Sequence, residues 1–144
     1  MSVYDRDNIF AKILRGEIPC HKVHEDEHSF AFLDIMPRAL GHTLVIPKAP
    51  ARNILDVSPQ ALCQTILTVQ RVSQAAKAAF AADGITLSQF SEQAGGQVVF
   101  HLHFHVLPRF DGVALLPAHT NIESNETLAQ KAAKLRAALA EIHA

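Results

Sequence analysis

Residues 98–107 read Val-Val-Phe-His-Leu-His-Phe-His-Val-Leu, and His101, His103 and His105 fall on alternate positions within that run. The apolar residues are β-branched, aromatic or leucine, so the run predicts a strand over 98–107. A strand sends every second side chain to the same face. All three imidazoles then share one row, continued by Val99 and Leu107, while Phe100, Leu102, Phe104 and Val106 form a core row. Three imidazoles on one face desolvate badly and repel one another when charged, so the row is costly unless it does chemistry. Imidazole is also the side chain best suited to proton transfer near neutral pH. Two other readings compete. Side chains two apart on a strand lie roughly 6–7 Å apart and the outer two about 13 Å, whereas zinc–nitrogen bonds are about 2.0–2.1 Å. One ion could therefore take two of the histidines, such as His101 and His103, but hardly three. The plainest reading is a polar strand face that happens to use histidine.

The chain has 144 residues, enough for one domain with a real core. Hydrophobic residues make up 49% and charged residues 19%, which predicts a globular rather than a disordered chain. The formal net charge of −1 comes with no basic run, so neither nucleic acid nor a membrane is expected as a partner. Cys20 and Cys63 lack C-x-x-C spacing and read as reduced thiols. Neither a signal-like stretch at Met1–Arg6 nor an apolar run of about 20 residues is present, so a cytoplasmic location is expected.

Along the chain, Asp7–Gly16 predicts a short amphipathic helix capped by Asp7 or Asn8 and ended by Gly16. Lys22–Glu25 and Ser29–Leu33 predict a hairpin around Asp26-Glu27-His28, and Thr43–Ile46 a third strand. Ser58-Pro59 is a strong helix start, and the helix can run to about Ala82 with Leu62, Ile66, Val69, Val72 or Ser73, Ala76 and Phe80 inward. Gly84–Phe90 predicts a strand and Ser91–Gly96 a turn. A last helix over Glu126–His143 carries a stripe of Leu128, Ala132, Leu135 and Leu139 that docks on its own domain or on a partner subunit. Strands in runs with one long helix predict an α+β fold with an antiparallel sheet.

Ala94-Gly95-Gly96-Gln97 precedes the histidines. Adjacent glycines make an ordinary hairpin turn, or a nest of amide N–H groups for an anion. With Gly96-Gln97 and the alternating histidines, the chain resembles the histidine triad family of nucleotide hydrolases and nucleotide-binding proteins. Ile9-Phe10-Ala11-Lys12-Ile13, Gly16-Glu17-Ile18-Pro19, Ala31-Phe32-Leu33-Asp34-Ile35 and Gly41–Lys48 support the resemblance in the family's order, over about residues 8–109.

The resemblance implies one domain over 1–144, with a core of about 8–110 and a helical extension over about 124–143. It implies a five-stranded antiparallel sheet with one long helix, a short N-terminal helix and a C-terminal helix, paired in a homodimer. It implies a purine nucleotide substrate attacked at the α-phosphorus, in a nucleoside phosphoramidate or a dinucleoside polyphosphate. By position His103 matches the nucleophile, which forms a covalent nucleotidyl intermediate. Its free ring nitrogen attacks when the ring is neutral and the other nitrogen donates to a fixed acceptor. His105 would reach the leaving group, and His101 and His42 would orient. Gly96, Gln97 and the Val98 amide would hold phosphate oxygens, with Ser91 near the nucleotide. Asp34 matches the ribose contact, and Ile9, Phe10, Ile13, Phe32 and Ile35 surround the base. Asn8, Ala11 and Pro50 stand where zinc-bearing members have ligands, so no structural metal and no cofactor are expected. Val98 and Ser91, each shorter of polar reach than the family's usual residue, keep open a nucleotide-binding module with little turnover.

Overall fold

The computed structural model describes residues 3–142, so Met1, Ser2, His143 and Ala144, including the last predicted helical residue, lie outside the described residues. Asn8 starts α1 (Ile9–Leu14) by accepting the Ala11 N–H on its side-chain oxygen, and Gly16 follows the helix at φ +78°. The predicted hairpin forms from β1 (Lys22–Glu25) and β2 (Ser29–Leu33). One Asp26 carboxylate oxygen closes its turn by accepting from the backbone of His28 and Ser29.

Strands β3 (Thr43–Pro47), β4 (Gly84–Ser88) and β5 (Phe104–Arg109) complete a five-stranded antiparallel sheet in the order β1-β2-β3-β5-β4. The two long helices are α2 (Pro59–Ala79) and α3 (Asn125–Ile142), and the fold is the expected α+β arrangement.

The two faces of the sheet follow the period-two pattern. Ala31, Leu33, Val45, Phe104 and Val106 pack with α2 and with Leu128, Ala132, Leu135 and Leu139 of α3. The C-terminal stripe is thus consumed inside its own chain. Phe30, Phe32, Leu44 and Ile46 face the other way, under Phe10 of α1. His105 alternates with Phe104 and Val106, so it belongs to the α1 face, opposite Leu44.

Several boundaries differ from the sequence expectation. The histidine strand begins only at Phe104; residues 98–103 are not strand. Its neighbour β4 runs out there, ending at Ser88 opposite His105, while β3 continues past Val45, the partner of Phe104, to Pro47, which has no N–H to donate. The Pro47 carbonyl is taken instead by the His101 ring at 2.9 Å. The shortened β4 gives up Gln89 and Phe90 to the following loop. Helix α2 ends at Ala79, not Ala82, and Ala81 turns left-handed at φ +51°. Ile66 is 42% exposed, while Thr65 and Thr68 are buried. Their hydroxyls make burial tolerable: Thr65 donates to the Ala61 carbonyl and Thr68 bonds the Ser29 hydroxyl at 2.6 Å. Both cysteines are free thiols. No helix among the described residues is long and apolar enough to cross a membrane.

Candidate active site

A cavity of about 390 Å³ opens on the α1 face of the sheet. Ile9, Phe10, Ile13, Phe32 and Ile35 line it together with Asp34, His42, His103 and His105, and the Phe10 ring meets the His103 ring edge to face at 4.9 Å. Gly96 and Val98 border it from the loop before β5, and Arg38, Ala118 and His119 from its mouth. Its size suits a small organic ligand, and its apolar lining with a few convergent polar groups is the usual make-up of such sites.

Hydrogen bonds assign the protons of the histidines, because a carbonyl can only accept and a backbone N–H can only donate. His103 Nδ1 lies 2.7 Å from the His101 carbonyl, so Nδ1 carries the hydrogen and Nε2 keeps its lone pair. His101 donates from Nε2 to the Pro47 carbonyl, and its Nδ1 accepts from the Tyr4 hydroxyl at 2.6 Å. His42 Nδ1 accepts the Arg38 N–H at 3.1 Å, so its hydrogen is on Nε2 and goes to His105 Nδ1 at 2.9 Å. That leaves the His105 hydrogen on Nε2. The pair thus offers a bare nitrogen on His103 and an N–H on His105, with ring centroids 5.0 Å apart.

Burial keeps these rings neutral. Desolvation lowers the pKa of His103. It takes His101 and His42 to about 4, with nearby His103 adding to the effect in both and Arg38 in His42. His105 is lowered to about 3 by burial, then by His103, His42, Arg38 and His119. The Asp34 carboxyl is raised by burial, against the Met36 N–H it accepts and nearby His119.

The expected row of three imidazoles is not what forms. His101 is 1% exposed and outside the cavity, tied on both ring nitrogens, while its carbonyl orients His103. With no ring nitrogen left, it shares no ion with His103. Asp34, His42 and His105 bring three ligand atoms within 4.8 Å of one another. The His42–His105 spacing, however, is that of a shared proton, which an ion would have to displace.

Gln97 is also placed differently. Its side chain is buried behind the turn, where Oε1 accepts from Asn53 and the Glu92 N–H and Nε2 donates to the carbonyls of Arg52 and Val99. Its own N–H goes to the Glu92 carbonyl, so neither group faces the cavity. Ser91 bonds Gln89 and does not line the cavity either. Val98 does, with a side chain 64% exposed.

Several supporting residues carried no signal in the sequence. Arg52 pairs with Glu92 through two bonds of 2.8 and 3.0 Å and lies 4.1 Å over the Phe100 ring. Fully buried Asn53 joins Glu92 to Gln97. Together they hold the turn at Glu92 (φ +64°) and Gly96 (φ +98°) against the loop after β3. Tyr4, Arg38 and His119 likewise come from segments that no motif marks.

Comparison with known proteins gives a consistent picture. The family model described as HIT domain matches residues 15–112. A solved structure of a HIT-like protein involved in cell-cycle regulation from Bartonella henselae, with an unknown ligand, superposes with a TM-score of 0.92 at 51% identity, covering 95% of this chain and 99% of that one. A hypothetical histidine triad nucleotide-binding protein from Sulfolobus tokodaii gives a TM-score of 0.84 at 32% identity, over 92% of each chain. An adenylylsulfatase of Arabidopsis thaliana is 36% identical over 108 residues, 75% of this chain and 55% of that protein.

Proposed function

This chain belongs to the histidine triad (HIT domain) family, and on that premise we propose that it is a hydrolase acting at the α-phosphorus of a purine nucleotide, through a nucleotide carried covalently on His103. The observation that carries the reading is the His103 Nδ1–H bond to the His101 carbonyl, which leaves a neutral Nε2 lone pair beside the cavity. A neutral imidazole attacks phosphorus without first losing a proton. As the P–N bond forms, the bond to the leaving group breaks and its electron pair departs with that group. Water then attacks the same phosphorus and the electron pair of the P–N bond returns to Nε2. One water proton stays on the new phosphate hydroxyl and the other goes to the leaving group or to solvent.

The remaining residues divide the nucleotide between them. Phe10, Phe32, Ile9, Ile13 and Ile35 enclose the base, and Asp34 accepts from the ribose hydroxyls. His105 Nε2–H meets a phosphate oxygen or the bridging atom, and the loop at Gly96 and Val98 approaches the phosphate with backbone alone. His42 orients His105, and His101 orients His103. The relative named as an adenylylsulfatase supports hydrolysis of a nucleotide, and the structural relative named as nucleotide-binding supports the ligand class. Exposed Leu87 on edge strand β4 supports a homodimer. A cytoplasmic location belongs to the same reading.

Reaction mixtures quenched in alkali, where a histidine P–N bond survives, should contain chain carrying one nucleotidyl group on His103, and His103→Ala should lose turnover by orders of magnitude. Near-normal turnover in that variant removes the mechanism. A second reading, a nucleotide-binding module with little turnover, draws on Val98, which brings no hydroxyl to the phosphate, and on Ser91, held away by Gln89. Tight AMP binding without hydrolysis would select it.

A further inference from the structure

The mouth of the cavity has a chemistry of its own. Residues 116–123 pass beside it, with Ala118 and His119 in its lining, and are pinned to the loop after β2 at three points. Leu116 N–H donates to the Arg38 carbonyl at 2.9 Å, Arg38 Nε donates to the Leu116 carbonyl at 2.8 Å, and Glu123 N–H donates to the Ile35 carbonyl at 2.9 Å. The segment carries His119 into the lining beside Arg38 and His105. His119 holds φ +58°, in the left-handed region that histidine enters more readily than most non-glycine residues. Only the Nε of Arg38 is engaged; its two terminal nitrogens take no hydrogen bond among the described residues. Asp34 is the one carboxylate in the lining, and it stands beside His42, 3.6 Å away. Arg38 and His119 thus bring basic side chains to a lining that is otherwise mostly apolar.

The proton inventory decides what can leave through that mouth. His105 holds a single ring hydrogen, on Nε2, and its Nδ1 is filled by the His42 N–H. Giving that hydrogen away outright would leave an imidazolate. A departing amine needs such a proton. A departing phosphate or sulfate needs none, but it carries away negative charge that a cation must meet. The low proton affinity of His105, to which both Arg38 and His119 contribute, points the same way.

Resting on the hydrolase reading above, we propose that Arg38 and His119 form a leaving-group subsite for a tetrahedral oxyanion, so that the substrates are nucleoside 5′-anhydrides of phosphate or sulfate in preference to phosphoramidates. The P–O bond to the bridging oxygen breaks as the P–N bond to His103 forms, and the bridging oxygen leaves with the electron pair toward the Arg38 guanidinium. Water then displaces His103, and its second proton is released to solvent.

The test measures kcat/KM for adenosine 5′-phosphoramidate, diadenosine triphosphate and adenosine 5′-phosphosulfate in the wild type, Arg38→Gln, Arg38→Lys and His119→Ala. The wild type should favour at least one anhydride, and the two anhydrides separate a phosphate from a sulfate leaving group. The anhydride-to-phosphoramidate ratio should fall about tenfold or more in Arg38→Gln and in His119→Ala, and Arg38→Lys should recover part of it. His119 is exposed, so its variant keeps the test open if Arg38→Gln unseats residues 116–123. Parallel losses on all three substrates, or an unmoved ratio, would reduce both residues to structural parts and overturn the subsite. A wild type that cleaves only the phosphoramidate overturns the subsite and leaves the hydrolase standing. If the wild type cleaves none, the hydrolase reading falls, and binding judges the subsite. ADP should then bind about tenfold more tightly than AMP and lose that margin in His119→Ala, whereas equal affinities in the wild type overturn it.

Discussion

His42 Nε2 and His105 Nδ1 stand 2.9 Å apart, and the Arg38 N–H on the far side of His42 determines which of the two rings gives the proton. The consequence reaches the cavity, because it forces the hydrogen of His105 onto Nε2. In His42→Ala the neutral His105 ring is free to adopt either tautomer, and Nε2 is no longer held as a donor. Turnover should fall about 10²-fold with a smaller change in KM, read by steady-state kinetics beside ¹⁵N shifts of His105. A change confined to KM would show that the pair serves binding rather than proton placement.

Tyr4 acts one step further back. Its hydroxyl caps Nδ1 of a His101 ring that is 1% exposed. Tyr4→Phe leaves that buried nitrogen unpaired, which should cost about 1–3 kcal/mol of stability, measured by urea unfolding. An unfolding midpoint equal to wild type would mean that the bond contributes nothing.

Acid should unfold this protein over a window set by its buried histidines. His42 and His101 are lowered to about 4 and His105 to about 3, all from 6.5 and chiefly by burial. The native state keeps these rings neutral, while the unfolded chain takes up protons as pH falls below 6.5. Their stabilisation is therefore complete above that pH and is lost as pH falls toward about 3. Each ring contributes a slope of up to about 1.4 kcal/mol per pH unit while only the unfolded form is protonated. Asp34, raised by burial, runs in the opposite direction and offsets part of the loss. Urea midpoints measured from pH 7.5 down to 4.5 should decline throughout the lower part of that range. A flat profile would contradict neutral burial.

Gly41 and Gly16 share a φ of +78° but not their surroundings. A Cβ on Gly41 would lie 2.3 Å from the Phe80 ring, whereas one on Gly16 meets nothing within 4 Å. Gly16→Ala should lose only the backbone preference, about 1–2 kcal/mol. Gly41→Ala adds a clash beside His42 and should lose a further ~1–3 kcal/mol, together with activity. Equal thermal shifts in the two variants would show that the Phe80 contact yields freely.

Features that depend on neighbours in sequence were legible without a structure. Ser58-Pro59 starts α2, Asp26 closes the β1–β2 turn, and the stripe from Leu128 to Leu139 packs inward as its spacing requires. Features that depend on distant partners were not. Ile66 faces out while Thr65 and Thr68 are buried, Thr68 against the Ser29 hydroxyl of strand β2 and Thr65 on the Ala61 carbonyl of its own helix. Gln97 reads as a phosphate ligand until Asn53 and Arg52, more than forty positions away, are seen to engage its side chain together with Glu92 and Val99.

The alternating histidines determined by themselves that His103 and His105 would meet at one site beside a glycine turn, because two residues of separation returns a side chain to the same face wherever the chain is extended. Tertiary structure decided the rest. It ended the ladder at Phe104, turned His101 away to Pro47 and Tyr4, and brought Arg38 and His119 to the mouth. It also assigned each ring its proton. Periodicity can place an imidazole on a face, but the nitrogen that keeps its hydrogen is chosen by the carbonyl or N–H that the folded chain sets against it.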